Sequence, residues 1–256
     1  MKDKVHLEML LKTLGLKTFL RNYATFAERA QKQKLSYGEY LYQLVQIEAD
    51  EKQDRKVARL LKASKLPCGK SLENFDIANQ PGLSASRLRE LALGDCLDHC
   101  ESILVFGVPG TGKSHLCAAL GREWCMRGRK VLYTMAAELV QELLKAKHEL
   151  KLNELLNTLD GFEALIIDDI SYVPQTRDET DVLFVLLAKR YEARSVVITS
   201  NLVFSEWGQI FKDKMTTKAA IDRLVHHGTI LELVEIDGES YRERVAKQKK
   251  KSLAAV

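Results

Sequence analysis

The chain has 256 residues, 46% of them hydrophobic, and a formal net charge of +4. Its length allows one large domain or two small ones, and its apolar content is ordinary for a globular protein. The five cysteines show no disulfide framework, Met1 is followed by no apolar signal stretch, and no apolar run approaches the ~20 residues of a membrane span, so the chain reads as cytoplasmic with reduced thiols rather than as a secreted scaffold or a membrane protein.

Residues 1–66 read as a helical N-terminal domain that binds DNA or a partner. Leu7, Leu10, Leu11 and Leu14 fall at helical spacing, and Phe19, Leu20, Tyr23, Phe26, Ala27 and Ala30 repeat it. Ser36 and Glu39 form a capping-box signature ahead of the stripe Tyr37, Tyr40, Leu41, Leu44 and Val45. The same helix then turns polar, and Lys52, Arg55, Lys56 and Arg59 form a basic stripe with Lys62 and Lys65. That stripe reads either as a solvated face or as a DNA- or partner-binding one.

Pro67, Gly69, Pro81 and Gly82 mark a linker and turn region at the start of a second domain, residues 67–256. There the period changes. Short apolar runs stand at ILVFGV (103–108), VLYTMA (131–136), ALIIDDI (164–170), SVVITSN (195–201) and TILELV (229–234), with helical segments between them. One helix begins at Ala136. Another begins near Asp178 behind a Thr176–Glu179 capping box, and a third ends at Gly228. Strands alternating with helices predict an α/β domain with a parallel sheet covered on both faces. Cys96, His99 and Cys100 lie close together, but no second ligand pair stands at zinc-site spacing, so structural thiols are expected there.

The chemistry concentrates at the ends of three strands. Gly107, Gly112, Lys113 and Ser114 fit G-x-x-x-x-G-K-[ST], with Val108, Pro109, Gly110 and Thr111 inside the loop and His115 after it. The loop follows an apolar strand and opens a helix. Glycines let backbone amides wrap closely around phosphates, and the helix N-terminus favours their charge. Lys113 is therefore expected to bridge the β- and γ-phosphates of a nucleotide, and the Ser114 hydroxyl to bind Mg2+. Asp168 emerges at the carboxyl end of a buried strand, where ligands bind in open α/β sheets, and fits the Mg2+-associated carboxylate. Asp169 is placed to orient or deprotonate an attacking water. Asn201 ends the next strand and can hydrogen-bond a γ-phosphate or that water. Arg223 and Arg242 are candidates for stabilising transition-state charge, although sequence alone selects neither.

This set, in this order, resembles an AAA+ ATPase, which implies ATP and Mg2+ as ligands and a five-stranded sheet in the order 5-1-4-3-2. Residues 137–163 give room for two helices between the second and third strands, which resembles the initiator-type AAA+ clade with its extra helix for DNA contact. Lys145, Lys147, His148 and Lys151 fall there and read as phosphate contacts or as a solvated face. Residues 235–256 leave room for one short helix in place of a full lid.

Within that clade the chain is similar nearly end to end to the IstB-like helper ATPases of bacterial insertion sequences. The similarity runs through SYGEYLYQLVQIE, KLPCGKSLENFD, the phosphate loop, LIIDDISYVP, AKRYE, ITSNLVFSEWGQIF and AAIDRLVHHG. It implies an ATPase that oligomerises on duplex DNA with ATP and assists the transposase of the same element in target selection. The alternative is a helicase loader like DnaC, which shares the ATPase core. Arg223 in DRLVHH resembles the arginine finger that reaches a neighbour's ATP, and Arg242 in SYRER resembles a sensor-two arginine acting in its own subunit. Arg190 in KRYE is a rival for either role. Many relatives carry Asp-Glu after the third strand. Asp168-Asp169 shortens the reach by about 1.5 Å, which implies slow hydrolysis and a long-lived ATP-bound assembly.

Overall fold

The computed structural model describes residues 2–77, 80–172, 176–211 and 214–234. It divides into two compact units, Met1–Arg59 and Leu60–Val256. This division is earlier than the expected boundary after Leu66, because Leu60, Leu61 and Leu66 pack against the core of the second unit. Ser64 is fully buried, and its carbonyl accepts a hydrogen bond from Tyr133 N at the edge of the sheet.

The first unit is helical. It contains α1 (Lys2–Thr13), α2 (Lys17–Gln33) and the start of α3 (Tyr37–Ala63). The capping box at the head of α3 is formed: Ser36 N and Oγ donate to the Glu39 carboxylate, and Glu39 N donates to Ser36 Oγ. The predicted helical spacing is present, but the stripes bury little. Leu11 and Leu44 are buried, whereas Leu7, Leu10, Leu14, Leu41 and Val45 are exposed. Three helices of this size have too little interior to cover every apolar position. A polar clamp adds to the small core. The buried Glu48 accepts from Thr18 N and Phe19 N at the start of α2, and Arg55 donates to Glu48 and Glu51.

The second unit is built on five parallel strands: β1 (Ser102–Phe106), β2 (Val131–Met135), β3 (Ala164–Asp168), β4 (Ser195–Ser200) and β5 (Gly228–Glu232). They lie in the order β2-β3-β4-β1-β5, which is the expected order read from the other edge. Before β1 stand α4 (Ala85–Leu93) and α5 (Asp95–Asp98), for which the sequence reading offers no element. Their signal is nevertheless present. Ser84 caps α4 by accepting from Arg87 N, and Leu88, Leu91 and Ala92 are buried at helical spacing.

Helix α6 (Lys113–Met126) follows β1 and packs with α4 on one face of the sheet, around Leu116, Leu120 and Trp124. The other face is covered by α7 (Ala136–His148), α8 (Leu152–Asp160), α9 (Arg177–Arg190), α10 (Gly208–Phe211) and α11 (Lys214–His226). The two helices expected between β2 and β3 are α7 and α8. The Thr176–Glu179 capping box opens α9 as predicted.

Two sequence expectations are corrected. Gly228 does not terminate a helix: α11 ends at His226, and Gly228 is the first residue of β5. A Cβ on Gly228 would stand 2.2 Å from the Leu224 carbonyl oxygen, so glycine is needed for close approach rather than as a helix stop. Arg190 does not reach a nucleotide. It is fully buried, and its guanidinium donates to the carbonyls of Leu159, Phe162 and Ser195.

Candidate nucleotide site

The carboxyl ends of β1, β3 and β4 converge on one cleft of about 360 Å3, lined by Lys70, Pro109, Gly110, Gly112, Lys113, Ser114, His115, Asp169, Thr199 and Asn201. The loop between β1 and α6 turns on glycine. Gly107 has φ +150, and a Cβ there would lie 2.3 Å from the Leu233 carbonyl oxygen and 2.9 Å from Thr111 Oγ1. No other residue fits that approach of two backbones. Gly112 caps α6 in a left-handed conformation, so the free amides of the first helical turn face the cleft. Thr111 Oγ1 donates to the Val108 carbonyl across the loop. Lys113 is buried except for a small fraction, and its ammonium donates to the Gly107 and Val108 carbonyls at 2.6 and 2.9 Å.

Asp168 lies behind Ser114 rather than in the cleft wall. Its Oδ1 accepts from Ser114 Oγ at 2.9 Å and from Thr199 Oγ1 at 2.6 Å, while Oδ2 accepts from the phenol of Tyr133 at 2.5 Å. Three side-chain donors satisfy this carboxylate although it is only 4% exposed. Burial, then the hydrogen bond to Asp168, pushes the Tyr133 phenol well above its ordinary pKa, so it stays a proton donor. Asp169 takes φ +62, a left-handed conformation that aspartate adopts at a cost of about 1–2 kcal/mol, and its amide is held by Thr199 Oγ1 at 2.8 Å. This turn sends the two adjacent carboxylates to different places: Asp168 faces Ser114, and Asp169 faces the cleft, where Asn201 Nδ2 lies 3.4 Å from its Oδ1.

The structure thus brings together Lys113, Ser114, Asp168, Asp169 and Asn201. It places Arg223 elsewhere: on α11, with its guanidinium over the Phe184 ring at 4.8 Å. Arg242 lies outside the described residues. Tyr133, Thr199 and Lys70 were missed by the sequence reading. The first two sit inside runs that read as buried strand, and the third sits in the linker.

Of the basic residues considered for DNA, Lys147 pairs with Asp178 at 2.7 Å and Lys151 with Glu149 at 3.7 Å. Lys145 is exposed in the last turn of α7. Lys52, Lys56 and Arg59 are exposed on α3, and Arg55 is engaged by Glu48 and Glu51.

A sequence model for the family described as IstB-like ATP binding protein matches residues 9–252. The chain belongs to this family. A protein of Sinorhizobium fredii named as an insertion sequence ATP-binding protein is 41% identical over 97% of this chain and 83% of its own length. A similarly named IS21 protein of Pseudomonas aeruginosa is 38% identical over 96% and 91%. Solved structures share the fold. AMPPCP-bound DnaA from Aquifex aeolicus aligns with a TM-score of 0.58 at 22% identity, over 73% of this chain and 56% of that one. The DnaC helicase loader aligns with a TM-score of 0.52 at 15% identity, over 65% and 97%. Among the described residues, no helix is long and apolar enough to cross a membrane.

Proposed function

We propose that the chain is a Mg2+-dependent ATPase that assembles on duplex DNA and assists the transposase encoded by its insertion sequence. The observation that carries this reading is the cleft itself. A phosphate-binding loop, a buried carboxylate beside a hydroxyl, and a second carboxylate beside an amide meet at the carboxyl ends of β1, β3 and β4. No arginine is among the described residues lining it. The cations that line it are Lys70 and Lys113, so a transition-state arginine would come from outside the described lining, which supports hydrolysis that depends on a neighbouring subunit.

The donor set fits Mg2+. Ser114 Oγ and Asp168 Oδ1 are hard oxygen donors 2.9 Å apart. They would hold the ion, which when bound neutralises charge on the phosphate oxygens. Lys113 would exchange its two carbonyl contacts for phosphate oxygens, a stronger charge-assisted pairing. Asp169 would accept the proton of the attacking water, with the Asn201 amide holding the carboxylate or the water in place. Because Asp169 sits on a left-handed turn fixed by Thr199, its short side chain is aimed but does not extend far, which supports slow turnover.

DNA contact is assigned to phosphate-binding residues: Lys145, Lys147 and Lys151 around α7 and α8, and Lys52, Arg55, Lys56 and Arg59 on α3. Their intramolecular ion pairs lie at the surface, so exchange for DNA phosphate is cheap. The pairing of Arg55 with the buried Glu48 makes it the weakest of the seven.

The test is fluorescence anisotropy of labelled duplex DNA with ATP and Mg2+, at several salt concentrations. Affinity should fall steeply with salt, vary little among sequences and disappear with Lys113→Ala, which should lose ATP binding by calorimetry. ATP binding that survives Lys113→Ala would remove the phosphate-loop assignment. A flat salt response would remove the phosphate-contact reading. A preference for single strands, with no response to transposase, would favour helicase loading.

A further inference from the structure

A second cluster of chemistry-bearing side chains lies away from the nucleotide cleft, where two loops of the sheet frame meet. Helix α9 ends at Arg190, and the chain turns sharply: Glu192 takes φ +55, and Ala193 N and Arg194 N both donate to the Arg190 carbonyl. Arg190 is itself fixed in the core, so the turn that carries Glu192 is anchored. Helix α11 ends at His226, and the His227 carbonyl accepts from Ser102 N at the start of β1. Two fixed backbones thereby present Glu192, His226 and His227 to one another. One ligand atom from each lies within 4.8 Å of the others, and His227 Nε2 is 3.6 Å from Glu192 Oε1.

We infer that Glu192, His226 and His227 bind one divalent transition-metal ion of the zinc, cobalt or nickel class. Two imidazoles and one carboxylate are the donors such ions select over the oxygen-only sets of Mg2+ and Ca2+. Ligands around one tetrahedral ion stand about 3.4 Å apart, so closing the cluster requires exposed side chains to move by about an ångström. A further contact favours a site over a bare ion pair. The Tyr191 hydroxyl is 3.0 Å from His226 Nδ1, the kind of hydrogen bond through which an outer group fixes the ring of a metal-ligating histidine. The Tyr191 hydroxyl also hydrogen-bonds Glu192, so the four side chains form one cluster rather than an isolated exposed ion pair, which would contribute little. Three protein ligands leave a fourth position for water or for a group from another molecule. An ion there ties the turn after α9 to the end of α11, one helical turn beyond Arg223.

The experiment uses the full chain with Zn2+ alone in calorimetry, then with Co2+ alone in absorption spectroscopy. Cobalt is needed because the chain also carries thiols, among them the exposed Cys68. The expected result is one saturable equivalent per chain, with a cobalt spectrum that lacks intense thiolate charge-transfer bands. His227→Ala and Glu192→Gln should each weaken binding at least about tenfold without changing the circular dichroism. Glu192→Gln changes one exposed side chain, so it keeps the test sharp if the histidine variant folds poorly. The absence of saturable uptake, uptake unchanged by both substitutions, or thiolate bands would each overturn the site.

Discussion

Asp168 shows how much of this site depends on single hydrogen bonds. One oxygen accepts from Ser114 and Thr199, and the other accepts from the Tyr133 phenol. Replacing Tyr133 with phenylalanine keeps the ring volume and removes one donor to a buried carboxylate. Such a loss costs about 1–3 kcal/mol. Tyr133→Phe should leave the fold intact and leave nucleotide affinity without Mg2+ near that of the parent. The gain in affinity on adding Mg2+ should shrink about tenfold, because the carboxylate is no longer aimed at Ser114. Paired calorimetric titrations with and without Mg2+ check this, and an unchanged Mg2+ effect would reduce Tyr133 to core packing. The sequence showed the loop, both carboxylates and Asn201 because each ends a strand or carries a spacing rule. It hid Tyr133 and Thr199 because their roles come from register. Tyr133 pairs with Ile166, and strand alternation puts Asp168 on the same face, two residues on. Thr199 follows Ile198, whose partner Ile167 precedes Asp168. Only the assembled sheet puts these neighbours together.

The elements divide in the same way between what periodicity carries and what packing decides. All five strands and the helices after them follow the apolar runs. α4 and α5 escaped notice because they sit between turn signals and the first strand. Arg190 marks the limit of resemblance as a guide: on sequence it was a rival for the catalytic arginine, yet it joins α8, α9 and β4 by donating to three carbonyls. Burial pushes its pKa down to about 10, which still leaves it charged at neutral pH. Arg190→Met should therefore destabilise the ATPase unit by about 3 kcal/mol or more, since two buried carbonyls and a part-buried one lose their donor. Urea unfolding measures this, and a stability within 1 kcal/mol of the parent, on the scale of about one net hydrogen bond, would contradict it. The first unit carries a different dependence. Burial alone would raise the Glu48 pKa, but the amides of Phe19 and Thr18 and the Arg55 guanidinium outweigh it, so the folded value lies below the ordinary one of 4.5. A lowered carboxylate contributes stability above its unfolded pKa and loses it as pH falls through the folded value. Packing of α2 on α3 should thus loosen below about pH 4.5, and Glu48→Gln should flatten that dependence. Helical circular dichroism on the full chain between pH 7 and 3 follows both.

At the scale of the whole molecule the question is where the transition-state cation comes from. Arg223 is held on α11 by the Phe184 ring and lines no part of the described cleft, while Arg190 is committed to the core. An arginine that serves a neighbour's ATP would be placed in this way: intact in its own subunit, and remote from its own phosphates. Arg223→Ala should then bind ATP nearly as tightly as the parent and hydrolyse it on the order of 10³-fold more slowly. Lys113→Ala should fail at binding, because the phosphate charge loses its paired cation. In the proposed assembly the two defects would lie on opposite sides of one subunit contact, so mixing the proteins should restore part of the activity. A Lys113→Ala subunit still presents Arg223 to an Arg223→Ala neighbour that still binds ATP. Two defects acting within one subunit could not complement in this way, since every chain in the mixture would remain inactive on its own. The measurement is phosphate release across a range of mixing ratios, with co-assembly on DNA followed by light scattering. Activity should peak at intermediate ratios and vanish at both ends. A flat line through a co-assembled mixture would place the catalytic arginine in cis and turn attention to Arg242.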